Sequence, residues 1–262
     1  MTALETLRER VEALDAEHTS LSPGTAPGRA DRFVGVMASY THTWPQIASP
    51  REATLDPGDA DALVAGCRLL DAIAERADDV VEGPLARSRQ HWIATARHAD
   101  AASAPDADRF VGAAGHEETE NLFCKPSGLG LFSSTALPQG ASMWRVFLDL
   151  GSERSIHPRP WYTWELTPEA GELAVLEIAT AAEWAAFLER HGVLRDGLLH
   201  PDWRRTARQV DAVHVTARAI AAAQGFHLQT SGTRTARMYW DVETTLWLRW
   251  RFSAVRLVEV AR

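Results

Sequence analysis

The C-terminal segment places the tightest constraint on the fold. Leu246, Leu248, Trp250 and Phe252 interleave with Trp247, Arg249 and Arg251, and Val255, Leu257, Val258 and Val260 follow. A two-residue alternation of this kind puts apolar side chains on one face of an extended chain. An isolated strand leaves its amides and carbonyls unpaired, so this segment requires neighbouring strands.

Candidate partners lie upstream, between helix signals. Ala174-Val175-Leu176-Glu177-Ile178 and Asp211-Ala212-Val213-His214-Val215 read as short strands. Thr180 with Glu183 forms a capping box that opens a helix ending at Gly192. Asp202, after Pro201, caps a helix from Trp203 to Gln209, and an alanine-rich helix stops at Gly225. Trp144-Arg145-Val146-Phe147-Leu148 begins with a polarity alternation and reads as a further strand. These elements describe an α+β domain with mostly antiparallel strands.

The first part of the chain differs. Residues 1–112 carry 11 Arg and 18 acidic residues, whereas residues 113–262 carry 16 basic and 17 acidic ones, so nearly all the net charge of -8 lies in the first part. Eight of the ten tryptophans lie in the second part. This asymmetry predicts two domains, a helical accessory or targeting domain over 1–112 and an α+β domain over 113–262. Leu4, Leu7, Val11 and Leu14 form one helical stripe. A second helix starts at Asp56-Pro57, with Ala60, Leu63, Val64, Cys67, Leu70, Ile73 and Ala74 on its apolar face. A third run passes through Leu85, Trp92, Ile93 and Ala96, and the Ala/Asp/Ser/Pro-rich stretch from Ala99 to Asp108 reads as a linker.

Several classes are excluded at this level. No apolar run reaches 18 residues, so no membrane-spanning helix is expected. The charged, amphipathic start lacks a signal core, so a cytoplasmic protein is expected. Two cysteines, Cys67 and Cys124, cannot build a disulfide scaffold or a multi-cysteine zinc site. The negative charge opposes broad attraction to nucleic acid or anionic lipid. His116-Glu-Glu-Thr-Glu120 lacks the second histidine of a zinc helix, so no metal is expected.

Two stretches carry candidate chemistry. The first runs from Asn121 to Thr135. Lys125 is the single lysine of the chain, against 26 arginines, and it stands in a Lys-Pro-x-Gly turn. An ammonium is a compact charge suited to a phosphate. Gly128 and Gly130 allow the backbone to approach a ligand closely. Ser133, Ser134 and Thr135 add three hydroxyls on the next strand, so the stretch can cradle a dinucleotide or form an ordinary hairpin with an exposed lysine. The second stretch is Met238 to Trp247. Asp241 and Glu243 share a face of an extended segment, and Tyr239, Trp240, Leu246 and Trp247 partly desolvate them. A desolvated carboxylate can hold a sugar hydroxyl or stabilise a developing cation; the alternative is a structural acid paired with Arg249 or Arg251.

Together the two stretches resemble the ADP-ribosyltransferase superfamily, in prokaryotic toxin-like members with a Lys-Pro-x-Gly-Leu turn. The resemblance covers roughly residues 115–262. It implies a split antiparallel β core with flanking helices, here preceded by the all-α N-terminal domain. It also implies NAD as co-substrate. Lys125 matches the basic residue that meets the dinucleotide, and Phe132-Ser133-Ser134-Thr135 looks like the strand that supports the nicotinamide ribose. Asp241-Val242-Glu243 is similar to the late Glu/Gln-x-Glu pair. The chain departs from the pattern in having Lys for Arg or His, a hydroxyl strand unusually close behind it, and Asp two before the glutamate.

The resemblance makes Glu243 and Asp241 catalytic: Glu243 stabilises the oxocarbenium-like transition state as nicotinamide leaves, and Asp241 orients or activates the acceptor. It makes Lys125, Gly128, Ser133, Ser134 and Thr135 NAD-binding, with Trp144 or Phe132 stacking on nicotinamide. The acceptor is a macromolecule or a small molecule, and an inhibitor or antitoxin partner suits a toxin-like effector. NAD hydrolysis is the neighbouring enzymatic reading. A tryptophan-rich carbohydrate- or protein-binding module is the non-enzymatic one, and it requires several of Trp161, Trp164, Trp240 and Trp247 in one exposed row. His157-Pro-Arg-Pro-Trp161 reads as a stiff loop over the sheet, His214 as a core histidine, and Arg204, Arg205 and Arg208 as a solvated helix face. Ser133 and Cys124 lack the partners of a nucleophile.

Overall fold

A computed structural model describes residues 78–96, 98, 100–112, 124–126, 128–137, 140–149, 157–223 and 227–262. The stripes at Leu4–Leu14 and Ala60–Ala74, most of the all-α domain expected over 1–112, and His116–Glu120 lie outside the described residues.

The apolar alternation at the C-terminus builds two strands, β9 (Thr244–Trp247) and β10 (Phe252–Ala261), which are not neighbours. With β1 (Gln90–Ala94), β2 (Leu131–Thr135), β3 (Trp161–Pro168), β4 (Val175–Ile178) and β7 (Ala212–Val215) they form a seven-stranded sheet in the order β10-β3-β1-β2-β9-β7-β4. All its pairings are antiparallel except β4 with β7. A small second sheet holds β5 (Gly192–Arg195), β6 (Leu198–Pro201) and β8 (Arg234–Thr235). The architecture is therefore α+β, with a mixed main sheet.

Two sequence expectations are corrected. The run through Leu85, Trp92 and Ile93 is not helical: Gln90–Ala94 is a strand between β2 and β3. Both its faces are buried, so its apolar residues follow no clean two-residue rhythm, and a short apolar run of that kind does not distinguish helix from strand. The main sheet thus draws on residues on both sides of position 112. Conversely, Trp144–Leu148 is not a strand but part of a helix over Met143–Asp149. Ser142 accepts the Arg145 amide at its start, and Met143, Phe147 and Leu148 are buried at helical spacing while Trp144 and Arg145 are half-buried. The stretch read as a linker is also more than a tether, because Ala101 packs with Ala94 and Trp164.

Local signals elsewhere act as their chemistry dictates. Glu183 donates its amide to the Thr180 hydroxyl at 3.1 Å, and its carboxylate accepts the Ala179 amide at 2.7 Å. That box opens the helix Ala181–His191, whose C-cap is Gly192. Asp202 caps Trp203–Ala207 through the Arg205 amide at 2.7 Å. The larger core packs helices Ala181–His191 and Ala217–Ala223 with Trp184, Trp203 and Trp240, whose rings meet at 5.8–5.9 Å. Gly130, with φ 72°, brings β2 against β9: a Cβ there would sit 2.6 Å from the Trp247 carbonyl oxygen.

Candidate active site around Glu243

Strand β2 changes partners along its length. Leu131–Ser133 pair with β9, whereas Ser134 and Thr135 pair with β1. Thr135 would face Glu243 if the β9 pairing ran on, but the ladder ends at Ser133↔Thr245. The Glu243 side chain fills the divergence and takes the amide that the ladder no longer satisfies.

Glu243 is completely buried, with four hydrogen bonds on its two oxygens. Oε2 accepts the Thr135 amide at 2.8 Å and the Ser134 hydroxyl at 3.0 Å. Oε1 accepts the Thr135 hydroxyl at 2.8 Å and lies 3.0 Å from Nε2 of His214. A carboxylate offers about four lone-pair positions, and here each has a donor. Such complete satisfaction is what allows a charge to remain in a water-free position.

The same network extends on both sides. Thr135 Oγ1 also accepts from the Gln90 amide nitrogen at 3.0 Å. Gln90 Oε1 accepts the Ser133 hydroxyl at 2.5 Å, and Ser133 Oγ accepts the Trp247 indole N–H at 2.8 Å. On the other side His214 Nδ1 lies 2.5 Å from Oε2 of Glu177, whose other oxygen accepts the Leu85 amide at 3.0 Å. Glu177, His214, Thr245 and Ser133 lie in register across β4, β7, β9 and β2. Paired residues share a sheet face, so this is one polar row through the sheet.

Charge in the row is set by its neighbours. Burial by itself disfavours an imidazolium, but hydrogen bonds and charge from Glu177 and Glu243 overcome it and push His214 up to about 9. Burial likewise opposes ionisation of Glu177, yet the His214 contact and the Leu85 amide hold its carboxyl below the ordinary range. The row therefore holds an imidazolium between the carboxyl groups of Glu177 and Glu243.

The acidic pair splits in space. Asp241 is ion-paired with Lys125 at 3.3 Å, and both side chains keep about a quarter of their surface, 22% and 26%. Two further ties bind the same segments: the Trp240 indole donates to the Cys124 carbonyl at 3.4 Å, and the Cys124 thiol donates to the Arg237 carbonyl at 3.3 Å. Cys124 and Asp241, one at each end of this junction, hold left-handed backbone with φ 57° and 69°. Burial pushes the Cys124 thiol up to about 12, so it is no nucleophile. Arg249 and Arg251 turn to Asp211 and Glu169 rather than to the acidic pair.

Of the residues singled out from sequence, Ser134, Thr135 and Glu243 are in direct contact, and Ser133 is one step away through Gln90. Lys125 and Asp241 meet at the exposed end. Trp144 joins through its backbone, whose amide donates to Ser134 Oγ at 3.2 Å; its half-buried indole stacks on Phe147 at 5.0 Å. Gly128 lies outside the hydrogen-bonded set, with φ 71° and, among the described residues, nothing within 4 Å of where a Cβ would stand. Sequence reasoning missed Gln90, Glu177 and His214 as members of the site. Glu177 and His214 share a signal, a polar residue inside a short apolar strand, as in Leu176-Glu177-Ile178 and Val213-His214-Val215; Gln90, at a strand start after Arg87-Ser88-Arg89, carries none.

No protein-family model, curated protein or solved structure matches the chain.

Proposed function

We propose that this protein transfers ADP-ribose from NAD to an acceptor with release of nicotinamide. One observation carries the reading: the hydroxyls of Ser134 and Thr135 close on Glu243, while Lys125 meets Asp241 two residues before it. Residues far apart in sequence, of types that suit one chemistry, thus share one locality. Gly128, with φ 71°, and the half-buried Trp144 indole supply backbone and ring of the kind a dinucleotide uses.

In this reading NAD supplies a glycosidic bond that breaks with its electron pair leaving on nicotinamide, and the acceptor nucleophile bonds to the anomeric carbon in its place. Glu243 stands beside the developing sugar cation and lowers its energy by charge. Its four acceptor positions are filled, so a ribose hydroxyl must take the place of one donor. Ser134 is suited to yield, because its oxygen keeps the Trp144 amide as partner. Asp241 takes the proton that the acceptor loses. Lys125 turns from Asp241 toward the pyrophosphate. Trp144 stacks on the nicotinamide ring.

Incubation of the full chain with NAD tests the reading through free nicotinamide and through a mass gain of one ADP-ribose on acceptors. Nicotinamide without any mass gain favours NAD hydrolysis instead. Absence of nicotinamide at high enzyme concentration overturns both. The binding-module reading has less support, because Trp161, Trp164, Trp240 and Trp247 are all buried and offer no exposed row.

A further inference from the structure

The Glu177–His214–Glu243 row does more than fill the sheet. His214 is completely buried and placed by strand pairing, in register with Glu177 on one side and Thr245 on the other. Its ring is fixed from both nitrogens, with Nδ1 on Glu177 and Nε2 on Glu243. The three groups are unequally exposed. Glu243 and His214 show no side-chain surface, whereas Glu177 keeps 36% of its own. The row is therefore a connection from solvent to the buried carboxylate.

We infer that His214 is a positioning residue for Glu243 and that Glu177, at the surface end, sets how it acts. This rests on the reading of Glu243 as the carboxylate beside the ribose. The argument is one of charge and direction. An imidazolium touching Glu243 alone would cancel the negative charge that a sugar cation needs. Glu177 restores it, because its own carboxylate offsets the imidazolium from the other ring nitrogen. Glu177 also fixes the tilt of the ring, because its carboxylate accepts the Nδ1–H and holds that side of the imidazolium in place. Among the described residues, the charged groups acting on the row are Glu177 from β4, Glu243 just before β9, and Arg87, whose charge favours the ionised Glu177.

The test uses the full chain and Glu177→Gln, chosen because Glu177 is partly exposed and its loss spares the buried core. Imidazole titration followed by nitrogen NMR needs no NAD. His214 is expected to titrate near 9 in the parent protein. In Glu177→Gln its midpoint falls towards the ordinary histidine value. An ordinary midpoint in the parent protein, or one unmoved by the substitution, overturns the clamp. Nicotinamide release gives the second readout. Glu177→Gln is expected to lower kcat by about tenfold or more, with KM little changed and the alkaline limb moved to lower pH. Glu177→Asp is expected to recover part of the rate. A folded Glu177→Gln with unchanged kcat and pH profile overturns the positioning role. A parent protein that releases no nicotinamide overturns the reaction reading, and the titration alone then decides the clamp.

Discussion

Thr135 holds both oxygens of Glu243, its amide on Oε2 and its hydroxyl on Oε1, each at 2.8 Å. One residue thus fixes the plane of a buried carboxylate at the point where β2 leaves β9 for β1. Thr135→Val keeps the amide and the shape but leaves Oε1 with His214 as sole donor, and Gln90 Nε2 loses a partner as well. Hydrogen bonds to buried charges are worth about 1.5–3 kcal/mol each, and the denaturation midpoint should fall accordingly. Chemical denaturation of Thr135→Val beside Thr135→Ser, which keeps the hydroxyl, reads the difference. Equal stability of the two variants would remove the hydroxyl from the account.

Lys125→Ala separates ligand binding from stability. The Lys125–Asp241 pair is about a quarter exposed, and ion pairs of that kind contribute at most about 1 kcal/mol to folding. The variant should therefore unfold within a few degrees of the parent protein while binding NAD at least about tenfold more weakly. Calorimetric titration with NAD measures it. An unchanged dissociation constant would return Lys125 to the role of a junction residue that only ties its segment to Asp241.

Stability should depend on pH through His214. Its folded pKa is raised to about 9 from 6.5, so its contribution is complete below pH 6.5 and is lost as pH rises through 9. Glu177 has the opposite sign: its carboxyl is depressed, so its contribution is complete above pH 4.5 and is lost as pH falls through its folded value. The stability supplied by this pair therefore forms a plateau between those limits. Urea denaturation across the range should show the alkaline fall in the parent protein and a smaller one in His214→Gln, which can still donate to Glu243. An equally steep alkaline fall in His214→Gln would assign that slope to other groups.

These residues also mark how far the sequence was readable. Thr180 with Glu183, Gly192 and Asp202 act within a few positions of themselves, so their signals survive into the fold. The strands at Val175–Ile178 and Ala212–Val215 were visible as short apolar runs between such signals. Gln90–Ala94 was not, because both its faces are buried and only its pairing with β2 and β3 makes it a strand. Trp144 misled because its aromatic, β-favouring side chain lies next to an inconspicuous helix start at Ser142. The hydroxyl strand and Glu243 were legible as residue types, although 108 positions separate Thr135 from its partner. The sequence places His214 in the core, and it is completely buried. Its partner Glu177 lies 37 positions away on a parallel strand, and nothing local announces that the two will meet.

Glu243→Gln is the most direct probe of the proposed chemistry, and its outcome is shaped by burial. All four groups that contact its oxygens, from Ser134, Thr135 and His214, donate to Glu243, so an amide nitrogen in place of either oxygen must face a donor. Removing one member of a buried charged pair costs about 3–5 kcal/mol, and the variant should unfold at lower temperature even though its volume is unchanged. A loss of nicotinamide release alone would then be ambiguous between chemistry and folding. The NAD-dependent rise in unfolding temperature resolves this, because Lys125 and Trp144 lie outside the Glu243 contacts on its two oxygens. The expected result is a folded variant that NAD still stabilises, with nicotinamide release lower by about a hundredfold or more. Release at the parent rate from that variant would exclude Glu243 from the reaction, whatever its importance to the sheet.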